Sequence, residues 1–114
     1  YYLGLEYLRG GQMDSARKTF LKLIQAWPAS DKIPAAYFLF GEMFRGEAAN
    51  DPTKWPMVEQ TFREAAKYPG ALQAPALLRL ADAYTAQGKT AEAADAWKKA
   101  GAAQVAAPGT GTVP

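Results

Sequence analysis

The amino-acid sequence predicts an all-α protein built from three helix–turn–helix hairpins, and three observations lead there. Composition favours helices: alanine makes up about a fifth of the 114 residues, and no alternating Val, Ile and Thr segment marks a strand. The chain also repeats itself. Gly4, Tyr7, Gly11, Ala16 and Phe20 follow one another at steps of three, four, five and four, and Ala81, Tyr84, Gly88, Ala93 and Trp97 follow at the same steps. A middle copy carries Gly41, Phe44, Val58 and Phe62, with five more residues between Phe44 and Val58 than its counterparts have. Finally, steps of three and four place a small residue and an aromatic on one helix face. The small residue admits a neighbouring helix, and the aromatic fills the space beside it.

Each element then has its own local reason. A first helix over 1–9 stops before Gly11, which takes the left-handed conformation cheaply. The second, over 13–26, starts near Asp14, a suitable N-cap, and ends before Pro28. The third spans 33–45. Gly46–Thr53, rich in Gly, Ala, Asn, Asp and Pro, reads as an exposed turn, with Thr53 capping a fourth helix over 54–67 and Pro56 harmless in its first turn. A fifth helix covers 73–86 and ends before Gly88, and Thr90 opens a sixth over 90–103. The repeat units are 1–30, 34–71 and 74–105, within a domain over 1–105. Residues 106–114, Pro/Gly-rich and uncharged, read as a flexible tail or linker. The opening Tyr1-Tyr2-Leu3-Gly4 reads as mid-helix, so a fragment or processed form of a longer protein is expected, with both ends of the stack incompletely covered. Tyr2, Tyr7, Phe40, Phe44, Phe62, Tyr84 and Trp97 recur at packing positions and are expected in the core, with Trp55 packing at the start of its helix. Trp27 suits either inter-repeat packing or an exposed contact.

Composition excludes much chemistry. There is no histidine and no cysteine, so neither a Ser-His-Asp or Cys-His catalytic set nor a His or Cys metal site is available. No catalytic residue, metal ligand or cofactor is expected. Gly109-Thr110-Gly111-Thr112 lacks the strand, helix and lysine of a phosphate loop. The carboxylates Glu59/Glu64 and Glu92/Asp95 stand among Lys and Arg and read as solvated faces. Thirteen basic against eleven acidic residues, evenly spread, give no stripe for nucleic acid. No apolar run reaches the roughly 20 residues of a membrane span, so no direct membrane insertion is expected.

The pattern resembles the tetratricopeptide repeat. In the first copy Leu3, Gly4, Tyr7, Gly11, Ala16, Phe20 and Pro28 carry the resemblance; in the third it is the run from Ala83 to Gly88, then Glu92, Ala93 and Trp97 to Ala100. The spacings Gly4 to Gly41 and Gly41 to Ala81 are longer than the usual period of about 34 residues. Pro28 to Pro34 and Pro69 to Pro75, each followed by Ala, make junctions similar to those of bacterial envelope members of the family, of the TolA-binding cell-division coordinator and outer-membrane-assembly lipoprotein types.

The resemblance implies a right-handed α-solenoid that serves as a protein–protein interaction scaffold without enzymatic activity. Its groove positions map here onto Leu5, Leu8 and Arg9, onto Phe38, Glu42 and Arg45, and onto Leu78, Asp82 and Thr85. An apolar strip with charged rims suits a peptide or amphipathic helix of a partner protein. Packing of Phe38, Leu5 and Leu78 against adjacent repeats is the competing reading. A homo-oligomer, stacking through uncovered repeat ends as a self-assembly or spacer element, is the alternative function. The envelope junctions favour the periplasm or cell envelope as the setting. The carboxylate clamp of chaperone-binding members is not expected: Tyr1, Leu5, Leu39 and Pro75 occupy its places, and Arg79 alone matches.

Overall fold

The computed structural model describes residues 1–27 and 29–106. Pro28 and most of the expected tail, 107–114, lie outside them. The described residues form six α-helices and no strand: α1 (Tyr2–Arg9), α2 (Met13–Ala26), α3 (Ile33–Ala48), α4 (Trp55–Ala65), α5 (Gln73–Ala86) and α6 (Thr90–Ala106), with a 3-10 turn at Pro52–Lys54 before α4. The fold is the expected all-α helical repeat solenoid. Every substantial contact between helices joins sequence neighbours, as a one-dimensional stack of hairpins requires.

The outer hairpins reverse identically. Gly11 and Gly88 take φ of 77° and 75°. The next residue in each copy folds back on its helix, Gln12 N–H donating to the Tyr7 carbonyl and Lys89 N–H to the Tyr84 carbonyl, each at 2.8 Å. The middle hairpin differs because Ala48 holds the place of those glycines. Without a residue suited to the left-handed turn, α3 runs through Gly46 and Glu47 to Ala48, which is buried. The expected exposed turn from Gly46 is thus helical over its first three residues.

Other boundaries shift for local reasons. Asp51, not Thr53, caps the turn before α4: its carboxylate accepts from Thr53 N–H at 3.1 Å. Pro56 sits in the first turn of α4, as expected, but α4 stops at Ala65 rather than at 67. Asp14 lies inside the first turn of α2, bonding Arg17, and Gln12 is the N-cap. Thr90 is the first residue of α6, which continues to Ala106 and so absorbs one residue of the expected tail.

Two apolar clusters hold the stack. Ala16, Phe20, Ala36 and Met43 are buried between the first and second hairpins. A larger cluster includes Ala48, Val58, Phe62, Ala76, Leu80, Ala83 and Ala100, between the second and third. In the first two hairpins a glycine lies directly beneath an aromatic ring. A Cβ on Gly4 would stand 2.7 Å from the Phe20 ring, and one on Gly41 would stand 2.6 Å from the Phe62 ring. Ala81 holds this place in the third hairpin and is buried. Trp97, expected in the core, is 48% exposed, and α6 packs through Ala93, Ala96 and Ala100 instead. Tyr2 is likewise exposed, whereas Tyr7, Phe40, Phe44 and Tyr84 are half-buried around the clusters, as is Trp55. Trp27 projects into solvent.

Candidate functional site

α1, α3 and α5 run through the stack as its alternate helices, and the expected groove residues come from these three. On α3 and α5 their charges are gathered into one chain. Arg79 Nε donates to Glu42 Oε1 at 3.0 Å, Arg45 lies 3.9 Å from the same oxygen, and its other nitrogen lies 3.9 Å from Asp82 Oδ2. Alternating cation and anion across two hairpins leave this strip close to neutral. All four side chains are about a third to a half exposed, so each pair contributes little to stability, on the order of 0–1 kcal/mol. Two pairs thus join α5 to α3, Arg79 with Glu42 and Asp82 with Arg45.

The apolar members divide. Leu78 is 44% exposed beside the charged chain. Phe38 is half-buried, its ring edge-on to Phe62 at 5.2 Å between centroids, so much of it belongs to the packing of the second hairpin. Leu5 and Leu8 are half-buried against the smaller cluster. Arg9 is exposed and pairs with Glu6 at 3.5 Å, away from the α3–α5 charges. Thr85 turns its hydroxyl back to donate to the Ala81 carbonyl at 2.9 Å. The structure therefore brings together Glu42, Arg45 and Asp82 with Arg79. It leaves Arg9 and Thr85 occupied within their own helices.

A second set of polar residues ties the hairpins to one another. Arg17 on α2 bonds Glu47 on α3 and sits over the Phe44 ring, 5.6 Å from its centroid. One repeat further, Glu59 on α4 stands in the place of Arg17, and Gln87, just past α5, stands in the place of Glu47. Glu59 accepts from Gln87 at 2.9 Å and from Lys89 at 2.8 Å, and it also pairs with Arg63 of its own helix. Arg63 in turn donates to the Tyr84 hydroxyl at 3.1 Å. Burial pushes the Glu59 carboxyl up, but the hydrogen bonds from Lys89 and Gln87 and the charges of Lys89 and Arg63 outweigh it and hold it below the ordinary glutamate range. Glu59 is the one buried charged side chain among the described residues, and the reading of Glu59 as part of a solvated face is overturned. The signal that finds these pins is repeat register: polar residues recur at equivalent positions, 17 with 59 and 47 with 87.

The opposite side of the stack carries two clefts that are also equivalent by repeat. One, of ≈ 480 Å³, lies among Leu21, Ile24, Tyr37, Phe40, Phe44 and Glu64. The other, of ≈ 470 Å³, lies among Arg63, Ala66, Leu77, Leu80, Tyr84 and Lys99, each of which stands one repeat further along. Among the described residues no cluster of metal-ligating side chains occurs, and no helix is long and apolar enough to cross a membrane.

Comparison with protein families agrees with this geometry. The family model for the tetratricopeptide repeat matches residues 1–30 and 75–102, together just over half of the chain. The matched segments are the outer hairpins, whose glycine turns are alike, and the unmatched one holds the middle hairpin with its run-on helix. A search of curated proteins returns no match. The chain belongs to the tetratricopeptide repeat family, whose repeats generally mediate protein–protein interaction.

Proposed function

For this member of the tetratricopeptide repeat family, we propose a non-catalytic scaffold that binds a peptide or amphipathic helix of a partner protein across the face formed by α1, α3 and α5. The observation that carries this reading is the chain Arg79–Glu42–Arg45–Asp82, with Leu78 exposed beside it and Leu5 and Leu8 further along the groove positions. Two cations and two anions paired with one another carry no net charge. Such a strip selects by apolar anchors and by exchange of hydrogen bonds rather than by attraction of one sign of charge. Specificity then lies in how a ligand replaces the pairings of Arg45 and Asp82, the longest in the chain.

Selection from a displayed library of helical and extended peptides tests the proposal. Binders are expected to lose affinity at least tenfold against Leu78→Glu and to keep it against Leu21→Glu, which lies at the cleft on the other side. Binders that respond to Leu21→Glu and ignore Leu78→Glu would sink the groove reading. The proline junction Pro69 to Pro75, followed by Ala76, supports the bacterial cell envelope as the setting. Fractionation of cells making the full-length protein tests that, and recovery in the cytosol alone would rule it out.

A further inference from the structure

The middle hairpin holds a cleft of ≈ 360 Å³ that continues from the Glu42–Arg45 pair. Glu42, Arg45 and Gly46 of α3 line it, with Ala49 capping the helix end and Trp55 at the start of α4. Steps of three and four place the α3 residues on one face. Folding accounts for neither of two features at this cleft.

The first is Gly46. Glycine weakens a helix interior, and nothing in the fold calls for it at this place. Its φ is not positive, and a Cβ on it would meet nothing within 4 Å. Gly41 on the same helix shows the contrast, since a Cβ there would strike the Phe62 ring. Gly101 of α6 is as open as Gly46, but it lines neither of the larger clefts. At Gly46 the missing side chain leaves the wall of the cleft open opposite Trp55.

The second is Arg45. Its guanidinium stands 3.9 Å from Glu42 and 3.9 Å from Asp82, beyond hydrogen-bond reach. Among the described residues Arg45 donates no side-chain hydrogen bond, and the Asp82 carboxylate accepts none. Donors and acceptors thus stand side by side at the mouth of the cleft. An anionic ligand would face Glu42 and Asp82, and a cationic one Arg45 and Arg79. A peptide unit is neutral and carries both partners, a carbonyl for Arg45 and an N–H for Asp82. Inside a helix those groups are already bonded to one another, so only an extended chain offers them.

We propose, resting on the reading that the α1, α3 and α5 face binds a partner, that the ligand is an extended peptide rather than a helix. Its main chain bridges Arg45 and Asp82, and one apolar side chain, aromatic or long aliphatic, lies against Trp55 over Gly46 and Ala49.

Titration with N-acetylphenylalanine N-methylamide, one apolar side chain between two peptide units, tests the cleft. In NMR spectra the Trp55 indole N–H and the Arg45 side chain are expected to shift and saturate. N-acetylphenylalanine, an anion, and phenylalanine N-methylamide, a cation, should each bind at least fivefold more weakly. Gly46→Leu should abolish the shifts while helical circular dichroism is kept or rises, and Ala49→Leu serves if that variant misfolds. Leu78→Glu should leave binding of the diamide intact while removing the binders selected from the peptide library, so cleft and groove face fail separately. A Trp55 signal that does not move, or a diamide that still binds the filled cleft, overturns the proposal. Equal binding of either charged probe overturns the main-chain contact. A library binder that is helical when bound and sensitive to Gly46→Leu overturns the extended form.

Discussion

The junction between the first and second hairpins and that between the second and third use the same positions with different chemistry. The first has few fully buried residues, and half-buried large side chains surround them: Tyr1, Tyr7, Leu39 and Phe40. Its pin is Arg17 with Glu47, partly open to solvent. The second buries a longer list dominated by alanine and leucine around Phe62, and its pin is the buried Glu59 held by Gln87, Lys89 and Arg63. Glu59 is buried among its partners from α4 and from the turn after α5. Half-buried aromatics surround this cluster too, among them Phe38, Phe44 and Tyr84, whereas at the first junction Arg17 and Glu47 stay 23% and 34% exposed. The repeat register therefore sets where contact is made, while the residues at each place decide how dry the contact becomes.

The largest test of this contrast is truncation of the two equivalent aromatics. Phe62→Ala is expected to destabilise by about 3–5 kcal/mol, since its ring is fully buried in the larger cluster. Phe20→Ala should fall at the low end of that range, because its half-buried neighbours can collapse into the space. Equal losses in urea titrations would show that the junctions are energetically alike.

Filling the glycine beneath the ring comes next. Gly41→Ala should cost about 1–3 kcal/mol through overpacking, since its Cβ meets the Phe62 ring at 2.6 Å. Ala93→Leu should cost a similar 1–3 kcal/mol, because Ala93 is buried where α6 packs. An unchanged thermal midpoint for Ala93→Leu would refute the close contact.

The pins are expected to differ less. Glu59→Gln should cost about 1–3 kcal/mol at neutral pH, and Arg17→Met, at the more open pin, under about 1 kcal/mol. The Glu59 contribution also has a definite pH dependence. Its carboxyl titrates lower in the folded chain than in the unfolded one, so the stabilisation is complete above the ordinary glutamate pKa of about 4.3. It is lost as pH falls through the lower folded value. The stability gap between wild type and Glu59→Gln should accordingly shrink on acidification, and a gap that widens would reverse the assignment. The smallest effect is expected at Arg45→Ala, whose long, exposed pairings leave folding within about 1 kcal/mol of wild type.

Much of the architecture is legible in the residues. The steps from Gly4 to Phe20 and from Ala81 to Trp97 mark the hairpins, and Gly11 and Gly88 mark their turns, because a left-handed reversal is a local demand that few residues meet. The run-on of α3 was legible in principle as well: Ala48 occupies the stop position, where a glycine would be needed. Trp97 was not. Its residue type and register match Phe20 and Phe62, yet it is 48% exposed while α6 packs through Ala93, Ala96 and Ala100.

The candidate site divides along the same line. Glu42 and Arg45 can be assigned to one face of α3 from helical spacing, and Asp82 to the equivalent face of α5 from the repeat register. The pairing of Arg79 with Glu42 and of Arg45 with Asp82, the half-burial of Phe38 against Phe62 and the drying of Glu59 depend on how closely separate helices approach. Sequence by itself determined the helices, their turns and the register that makes positions equivalent, all of which are local or periodic. Tertiary structure alone decided which equivalent positions are dry, paired or open, because that distance is set by the combined volumes of residues far apart in the chain.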